Sequence, residues 1–314
     1  MTSVLVSGWC EQKVVEVCGV KIGGYLGANP ALLVGSIFYL GDKLLLSKEG
    51  DIDKGKASQV ISDAISFTHD LGLNFGLDVV FPTEESVSTI LPFVAEYDVP
   101  LFLDSPEPKA RIRAYLMARE LGIEAKSIAN GIYVNTAGKE LSAISESRIR
   151  AAVLLAFDPA NPAASMKAED RMKVLEDVLL PLAKKAGLEN VLADAVVLDP
   201  ASIAISAEAI YLFKKNLGLP SGCAPANALG PASKKALDIV QVYGVHGGAA
   251  ALLRLHGADF IMYGPVKRIK YVAPAIAMVD SLLGYSAKLR GYKISGKHPM
   301  RKLLRSIQKL FTKS

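Results

Sequence analysis

This 314-residue chain is predicted to fold as a (β/α)8 TIM barrel, with a β-hairpin before it and a basic amphipathic helix after it. Three observations lead there. Short apolar runs alternate with helix-length segments along nearly the whole chain. Eight such pairs occupy about 250 residues, the usual span of that barrel. Most of the runs are continuously apolar, as strands covered by helices on both faces must be. A doubly wound open sheet is the alternative architecture.

The elements follow in chain order. "KVVEVCGVKIGG" (13–24) alternates about Cys18-Gly19 and predicts a hairpin plugging the N-terminal mouth of the barrel. Strands are predicted at "ALLVGSIFY" (31–39), "NFGLDVV" (74–80), "VPLFLD" (99–104) and "AKSIAN" (125–130). The other four are "AAVLLAF" (151–157), "NVLADAVV" (190–197), "LPSGC" (219–223) and "ADFIMYG" (258–264). The fourth and seventh carry the weakest pattern. Between strands, segments such as 53–72 and 168–187 open near Asp or Ser, repeat apolar residues at three and four, and end at Gly. The barrel is assigned to residues 1–285 and the tail to 286–314. In the tail, Met300, Leu303, Leu304, Ile307 and Phe311 share one helix face, and Arg301, Lys302, Arg305 and Lys309 lie largely off it. Such a helix either docks back on the body or lies on an anionic membrane or a partner protein through 292–314.

Composition narrows the function classes. Hydrophobic residues make up 51% and charged residues 21%, which places the chain among globular proteins. No apolar run reaches the ~18 residues of a membrane span, and the N-terminus shows no signal-peptide pattern. Cys10, Cys18 and Cys223 form no CxxC pair, which fits a reducing cytoplasm and no zinc. The net charge of +5 is uneven: residues 286–314 hold nine Lys/Arg and no acid, leaving 27 basic against 31 acidic residues elsewhere. A body that is mildly acidic does not offer a nucleic-acid groove. The expected location is therefore cytoplasmic, with the tail allowing peripheral membrane association.

Enzymes on this barrel place their chemistry at the C-terminal ends of the strands. The polar residues there are Ser36, Asp78, Asp104, Asn130, Asp158, Asp194 and Asn227, taking strands one to seven in order. None of His69, His246, His256 and His298 sits at such an end, and no Lys ends a central strand. Zinc hydrolysis and Schiff-base chemistry are therefore disfavoured. A Mg2+ site built from the carboxylates is a weaker alternative, and no metal is expected. A ring of Asp and Asn suits a flat heterocycle rich in N–H donors, such as the pyrimidine edge of a reduced pterin. Each residue also has a structural reading. Asp104 is a helix cap or a ligand group. Asp78 and Asp194 sit within apolar strands, where an unpaired charge is costly. Asp158, in "FDPANP", reads as a turn former.

These residues also carry a resemblance. From about Lys13 to Asp280 the chain resembles the family of the H subunit of tetrahydromethanopterin S-methyltransferase, and more distantly the pterin-dependent methyltransferases that feed corrinoid proteins. The likeness is carried by "GVKIGG", "VGSIFY", "LDVV", "FLDS", "SIAN", "VLAD", "SGC…NA" and "GADFIMYGP…AIAMVD". It implies a TIM barrel that moves a methyl group between N5 of a reduced pterin and the cobalt of a corrinoid held by a separate protein. The pterin would be methyl-tetrahydromethanopterin or methyl-tetrahydrofolate. Asp78, Asp104, Asn130 and Asp194 match the family's pterin-holding Asp and Asn, with Ser36 beside them. Asn227 matches the residue that hydrogen-bonds near N5 and takes the catalytic role. A homodimer is also implied. The chain departs from the family pattern at "FPTEES" (81–86), where Gly-Glu-Ser is expected, at Ala226, where His is expected, and at Asp158, where Asn is expected. Two other readings stand beside the methyltransferase: a barrel without catalysis that docks a corrinoid or membrane partner, and a dihydropteroate synthase-like enzyme. The second needs late-strand basic residues that are not evident after Cys223 or in "YGPVK".

Overall fold

The computed structural model describes residues 8–230 and 237–306. Strands β1 (Val14–Val17) and β2 (Val20–Gly23) pair antiparallel. Their two turn residues, Cys18 (φ 50°) and Gly19 (φ 70°), both lie in the left-handed region that a two-residue hairpin turn requires. The eight barrel strands are β3 (Leu32–Ile37), β4 (Asn74–Val80), β5 (Leu101–Asp104) and β6 (Ser127–Ile132), then β7 (Ala151–Leu155), β8 (Asn190–Asp194), β9 (Ser221–Cys223) and β10 (Phe260–Pro265). All pair in parallel and in sequence order, and β10 returns to β3 to close the barrel. Every predicted strand is present, β9 shortened to three residues.

Strand periodicity decides what the barrel interior contains. Leu33 and Ile37, Leu77 and Val79, Leu101 and Leu103 point outward into the layer shared with the helices. Leu32, Val34, Phe102, Ile128, Val153, Leu192, Phe260 and Met262 point inward and form a separate cluster. Val15, Val17 and Ile22 of the hairpin join that inner cluster, so the hairpin closes the N-terminal mouth as expected. The next inward position along each strand, toward its C-terminal end, is Ser36, Asp78, Asp104, Asn130 and Asp194 on β3, β4, β5, β6 and β8. The barrel is therefore apolar below and polar at the top.

The helices are α1 (Lys54–Leu71), α2 (Val87–Val94), α3 (Pro108–Glu120), α4 (Gly138–Ser147), α5 (Ala168–Val174), α6 (Leu180–Lys185), α7 (Ser202–Leu217), α8 (Ile239–Leu255) and α9 (Ile269–Leu289). Helix α1 has the predicted ends: Asp53 accepts from the Lys56 N–H at 3.1 Å, and Gly72 closes it at φ 78°. The single helix predicted over 168–187 instead carries a π-helical turn at Leu175–Leu179 between α5 and α6. Pro181, two residues past that turn, has no N–H to continue an α-helical ladder. Glu107, not Asp104, is the N-cap residue of α3, which starts at Pro108. Among the described residues no helix is long and apolar enough to cross a membrane.

Below the barrel, two buried ion pairs tie helices to the chain entering β3. Lys214 Nζ meets Asp259 Oδ2 at 2.8 Å and donates to the Gly24 carbonyl at 3.1 Å. Arg254 Nε meets Asp280 Oδ1 at 2.6 Å, and Asp280 Oδ2 accepts from the Ala31 N–H at 2.8 Å. The described part of the tail docks on the body. Tyr292 stacks on Tyr25 with centroids 3.4 Å apart, the Ser295 N–H donates to the Ala28 carbonyl, and His298 is fully buried. Leu303 packs on the core, and Lys302 Nζ donates to the His69 carbonyl at 2.7 Å, at the C-terminal end of α1. Ile307 and Phe311, the far end of the predicted apolar face, lie outside the described residues.

Candidate functional site

The polar layer opens into a cavity of about 680 Å³ at the C-terminal mouth, lined in part by Ser36, Asp78, Asp104 and Asn227. Asp78 is the hub of the set. Ser36 Oγ donates to its Oδ2 at 2.7 Å, and Asn130 Nδ2 donates to its Oδ1 at 3.1 Å. The register explains the first contact, because Ser36 and Asp78 are direct neighbours across β3 and β4. Asn130 joins the set through Asp78 and does not line the cavity. Asp194 stands on β8, across the barrel from β4 in the strand order, and also lies outside the cavity lining.

Three carboxyl groups at one mouth are costly to ionise. Burial pushes Asp78 up to about 6, against the two hydrogen bonds that hold it down. Burial and then the Asp78 charge push Asp104 up to about 8, against the pull of Arg111 and of the Ser105 backbone. Burial pushes Asp194 up to about 7, against the Val196 N–H and Arg171. The nearest guanidiniums are engaged elsewhere. Arg111 grips Glu140 through Nε and Nη2 and the Ser105 carbonyl through Nη1. Arg171 donates to the carbonyls of Ser165, Ala195 and Val196 and to Ser206 Oγ. The acids thus retain acceptor capacity and lack a full counter-charge, which is what a ligand presenting N–H donors would supply.

Asp194 is held in an unusual way. The Val196 N–H donates to its Oδ1 at 2.6 Å, and Val196 itself has φ 53°, a strained conformation for a β-branched residue. The strain is held in place by Arg171 Nη1 and Ser206 Oγ, each donating to the Val196 carbonyl at 2.8 Å. Phe38, at the end of β3, is also left-handed (φ 64°), with its N–H on Asp42 Oδ2 at 3.0 Å. It leads into Tyr39, another cavity residue.

Strand-end polarity does not reveal every participant: Arg111, Arg171, Tyr39 and Tyr133 stand outside that pattern. The Tyr133 hydroxyl is raised to about 12 by burial and by Asp104, with Asp194 a smaller cause. Arg268, just past the "YGPVK" stretch, lines the cavity with Asn227 and sits 6.0 Å from the Tyr271 ring centroid. Of the departures, Glu84 and Glu85 are exposed and outside the cavity lining. Ala226 lines the cavity opposite Gly264 (φ +86°), where an added Cβ would lie 2.9 Å from the Ala226 Cβ. The Asp158 carboxylate accepts from the Ala160 N–H at 2.9 Å, as a turn former does. Among the described residues, no three His, Cys, Asp or Glu side chains converge as a cation site requires.

Known proteins bear on this geometry. The profile of the family described as "Tetrahydromethanopterin S-methyltransferase MtrH subunit" matches residues 10–294. The H subunit of tetrahydromethanopterin S-methyltransferase from Methanocaldococcus jannaschii is 32% identical over 317 residues, covering 94% of this chain and 98% of its own. That of Methanothermobacter thermautotrophicus is 30% identical over 311 residues, with the same coverage. Among solved structures, Yersinia pestis dihydropteroate synthase bound to a pterine–sulfa conjugate has a TM-score of 0.59, at 13% identity over 86% of this chain and 99% of that one. At that identity the likeness shows the barrel alone.

Proposed function

The chain belongs to the family of the H subunit of tetrahydromethanopterin S-methyltransferase, and we propose that it transfers a methyl group between N5 of a reduced pterin and the cobalt of a corrinoid carried by a partner protein. The observation that carries the reading is the inward polar layer: Ser36, Asp78, Asp104 and Asn227 at the cavity, Asn130 bonded to Asp78, and Asp194 on the far wall. A pterin places an amino group and a ring N–H side by side on one edge, and carboxylates accept that pair. Each charge-assisted bond is worth roughly 1.5–3 kcal/mol net, so two or three fix the orientation of the ring. The pterine ligand of the structural neighbour, on the same barrel, is consistent with this.

In the direction toward cobalt, the electron pair of the reduced corrinoid forms the cobalt–carbon bond. The C–N5 bond breaks with its pair left on nitrogen, and N5 takes up a proton. Asn227 reaches the cavity from the helical turn (226–230) that follows β9. Its amide strengthens a hydrogen bond to N5 as charge on that nitrogen changes, which stabilises the transition state over the ground state. An amide is not an acid, so the proton is delivered through solvent. The barrel supplies orientation, and the pterin and corrinoid supply the reactivity.

Titration with methyl-tetrahydromethanopterin and methyl-tetrahydrofolate tests this reading. One of the two is expected to bind, and Asp194→Ala to abolish the binding. A well-folded protein that binds neither overturns it.

A further inference from the structure

The cavity at the mouth carries charge of both signs. Asp78 and Asp104 stand on β4 and β5, and Arg268, just past β10, is the sole cation among the described lining residues. Strand β9, which leads to Asn227, lies across the ring from β5, and β10 is its neighbour. The Arg268 side chain is half-buried and forms no ion pair among the described residues. Its surroundings do not neutralise it. The guanidinium carbon lies 6.0 Å from the Tyr271 ring centroid. The Tyr39 hydroxyl is pushed up by burial and by Asp42, with Arg268 pulling it back. Burial and then the Arg268 charge hold His246 below the ordinary histidine value. Asp42 spends its two oxygens on the Phe38 N–H at 3.0 Å and the Leu44 N–H at 3.2 Å.

Local structure does not explain an arginine at this place. Arg268 is the N-cap residue of α9, with Lys267 before it and no acid in the first turn. The N-terminal end of a helix is partially positive, so a cation there gains nothing from the helix. Its position relative to the rest of the cavity is more informative. Arg268 Nη1 would lie 3.5 Å from a Cβ added at Gly230, so the guanidinium stands against the helical turn that carries Asn227. The cavity of about 680 Å³ is also that of a site for a whole drug-sized molecule, and a bicyclic ring alone does not fill it.

We propose that Arg268 binds an anionic group on the side chain of the methyl carrier and selects carriers that have one. The inference rests on the pterin reading of the cavity. With the pyrimidine edge on Asp78 and Asp104, the far end of the bicycle brings N5 to Asn227. C6 is bonded to N5, so its substituent leaves the ring beside Asn227 and runs past Gly230 to Arg268. In methyl-tetrahydromethanopterin and methyl-tetrahydrofolate that substituent is an arylamine chain ending in acidic groups. A guanidinium suits carboxylate and phosphate alike, because its planar fork meets two oxygens at once. The same contact sets which end of the ring enters first. A reversed ring would bring the acidic chain against Asp78 and Asp104 and leave Arg268 without an anion.

Calorimetric titration of the full chain tests it, with each whole carrier and with the N5-methylated reduced pterin that bears only a methyl group at C6. The wild type is expected to bind a whole carrier at least about tenfold more tightly than the truncated ring. Arg268→Met should remove that advantage while still binding the truncated ring, which reports an intact cavity, and Arg268→Lys should restore part of it. Added salt should weaken whole-carrier binding in the wild type and not in Arg268→Met. The two carriers separate the acids: a loss with methyl-tetrahydrofolate assigns a carboxylate, and a loss confined to methyl-tetrahydromethanopterin assigns the phosphate. Equal affinity of the wild type for whole carrier and truncated ring overturns the inference and leaves the pterin reading standing. So does an equal loss of both ligands in a folded Arg268→Met. A wild type that binds none of these ligands overturns both.

Discussion

Replacing Asp194 by Asn should make the protein more stable while removing a proposed ligand contact. The unfolded chain releases this proton near 3.8, and the folded chain holds it until about 7. Between those values the folded state binds the extra proton, so wild-type stability falls as pH rises through the window and is level above it. At 1.36 kcal/mol per pH unit, the gap amounts to about 4 kcal/mol of destabilisation at pH 8, shrinking to under about 2 kcal/mol at pH 5. The Asn carbonyl still accepts the Val196 N–H that now bonds Asp194 at 2.6 Å, so the substitution discards the charge and keeps the hydrogen bond. Urea unfolding of both proteins at pH 5 and pH 8 measures the effect. The variant should gain about one to four molar in midpoint at pH 8, given urea slopes of about 1–3 kcal/mol per molar, and clearly less at pH 5. A variant less stable than wild type at pH 8, or a gain independent of pH, refutes the reasoning that burial of an uncompensated carboxylate dominates this site.

Four further outcomes follow from the same geometry. Pterin affinity should rise between pH 5 and 9, by up to tenfold per pH unit for each acid involved, because Asp78, Asp104 and Asp194 must lose the protons that they hold below about 6, 8 and 7 to accept N–H donors; titration calorimetry in a pH series measures it, and flat or falling affinity contradicts it. Asn227→Ala should slow methyl transfer about a hundredfold or more and weaken pterin binding by less than tenfold, read from single-turnover rates beside titrations; equal losses would remove its assigned role. Arg171→Met should release the Val196 and Ala195 carbonyls and weaken pterin binding at least tenfold, although Arg171 lies outside the cavity lining. Asp280→Ala should cost about 3–5 kcal/mol in urea unfolding by leaving Arg254 buried without its closest partner.

The barrel was legible because local signals agreed with the global fold. The bounds of β4 coincide with "NFGLDVV", and α1 runs from its Asp cap to its Gly stop. The positions of Ser36, Asp78, Asp104, Asn130 and Asp194 were legible as strand ends. Which way they point was not, because continuously apolar strands hide the period of two. Register supplied that information by placing Ser36, Asp104, Asn130 and Asp194 two residues above inner-core side chains and Asp78 directly beside Ser36. Arg111 with Glu140, and Arg171 with the Val196 carbonyl, stayed hidden for another reason: they join groups 29 and 25 residues apart through side chains whose local pattern reads as ordinary helix surface. The left-handed Val196 left no local sign either, since valine is a poor choice for that conformation and is held there by tertiary contacts. In the tail, periodicity showed an amphipathic helix but not which surface it meets. Leu303 on the core and Lys302 on the end of α1 turn its first residues inward.

The most direct measurement mixes the protein with methyl-tetrahydromethanopterin and chemically reduced cobalamin under anaerobic conditions and follows the visible spectrum. The account predicts that the cobalt(I) spectrum gives way to that of methylcobalamin, at a rate proportional to protein concentration and strongly reduced in the Asp194→Ala and Asn227→Ala variants. Pterin binding without any conversion at a rate above the protein-free control, with methyl-tetrahydrofolate equally inert, would contradict it.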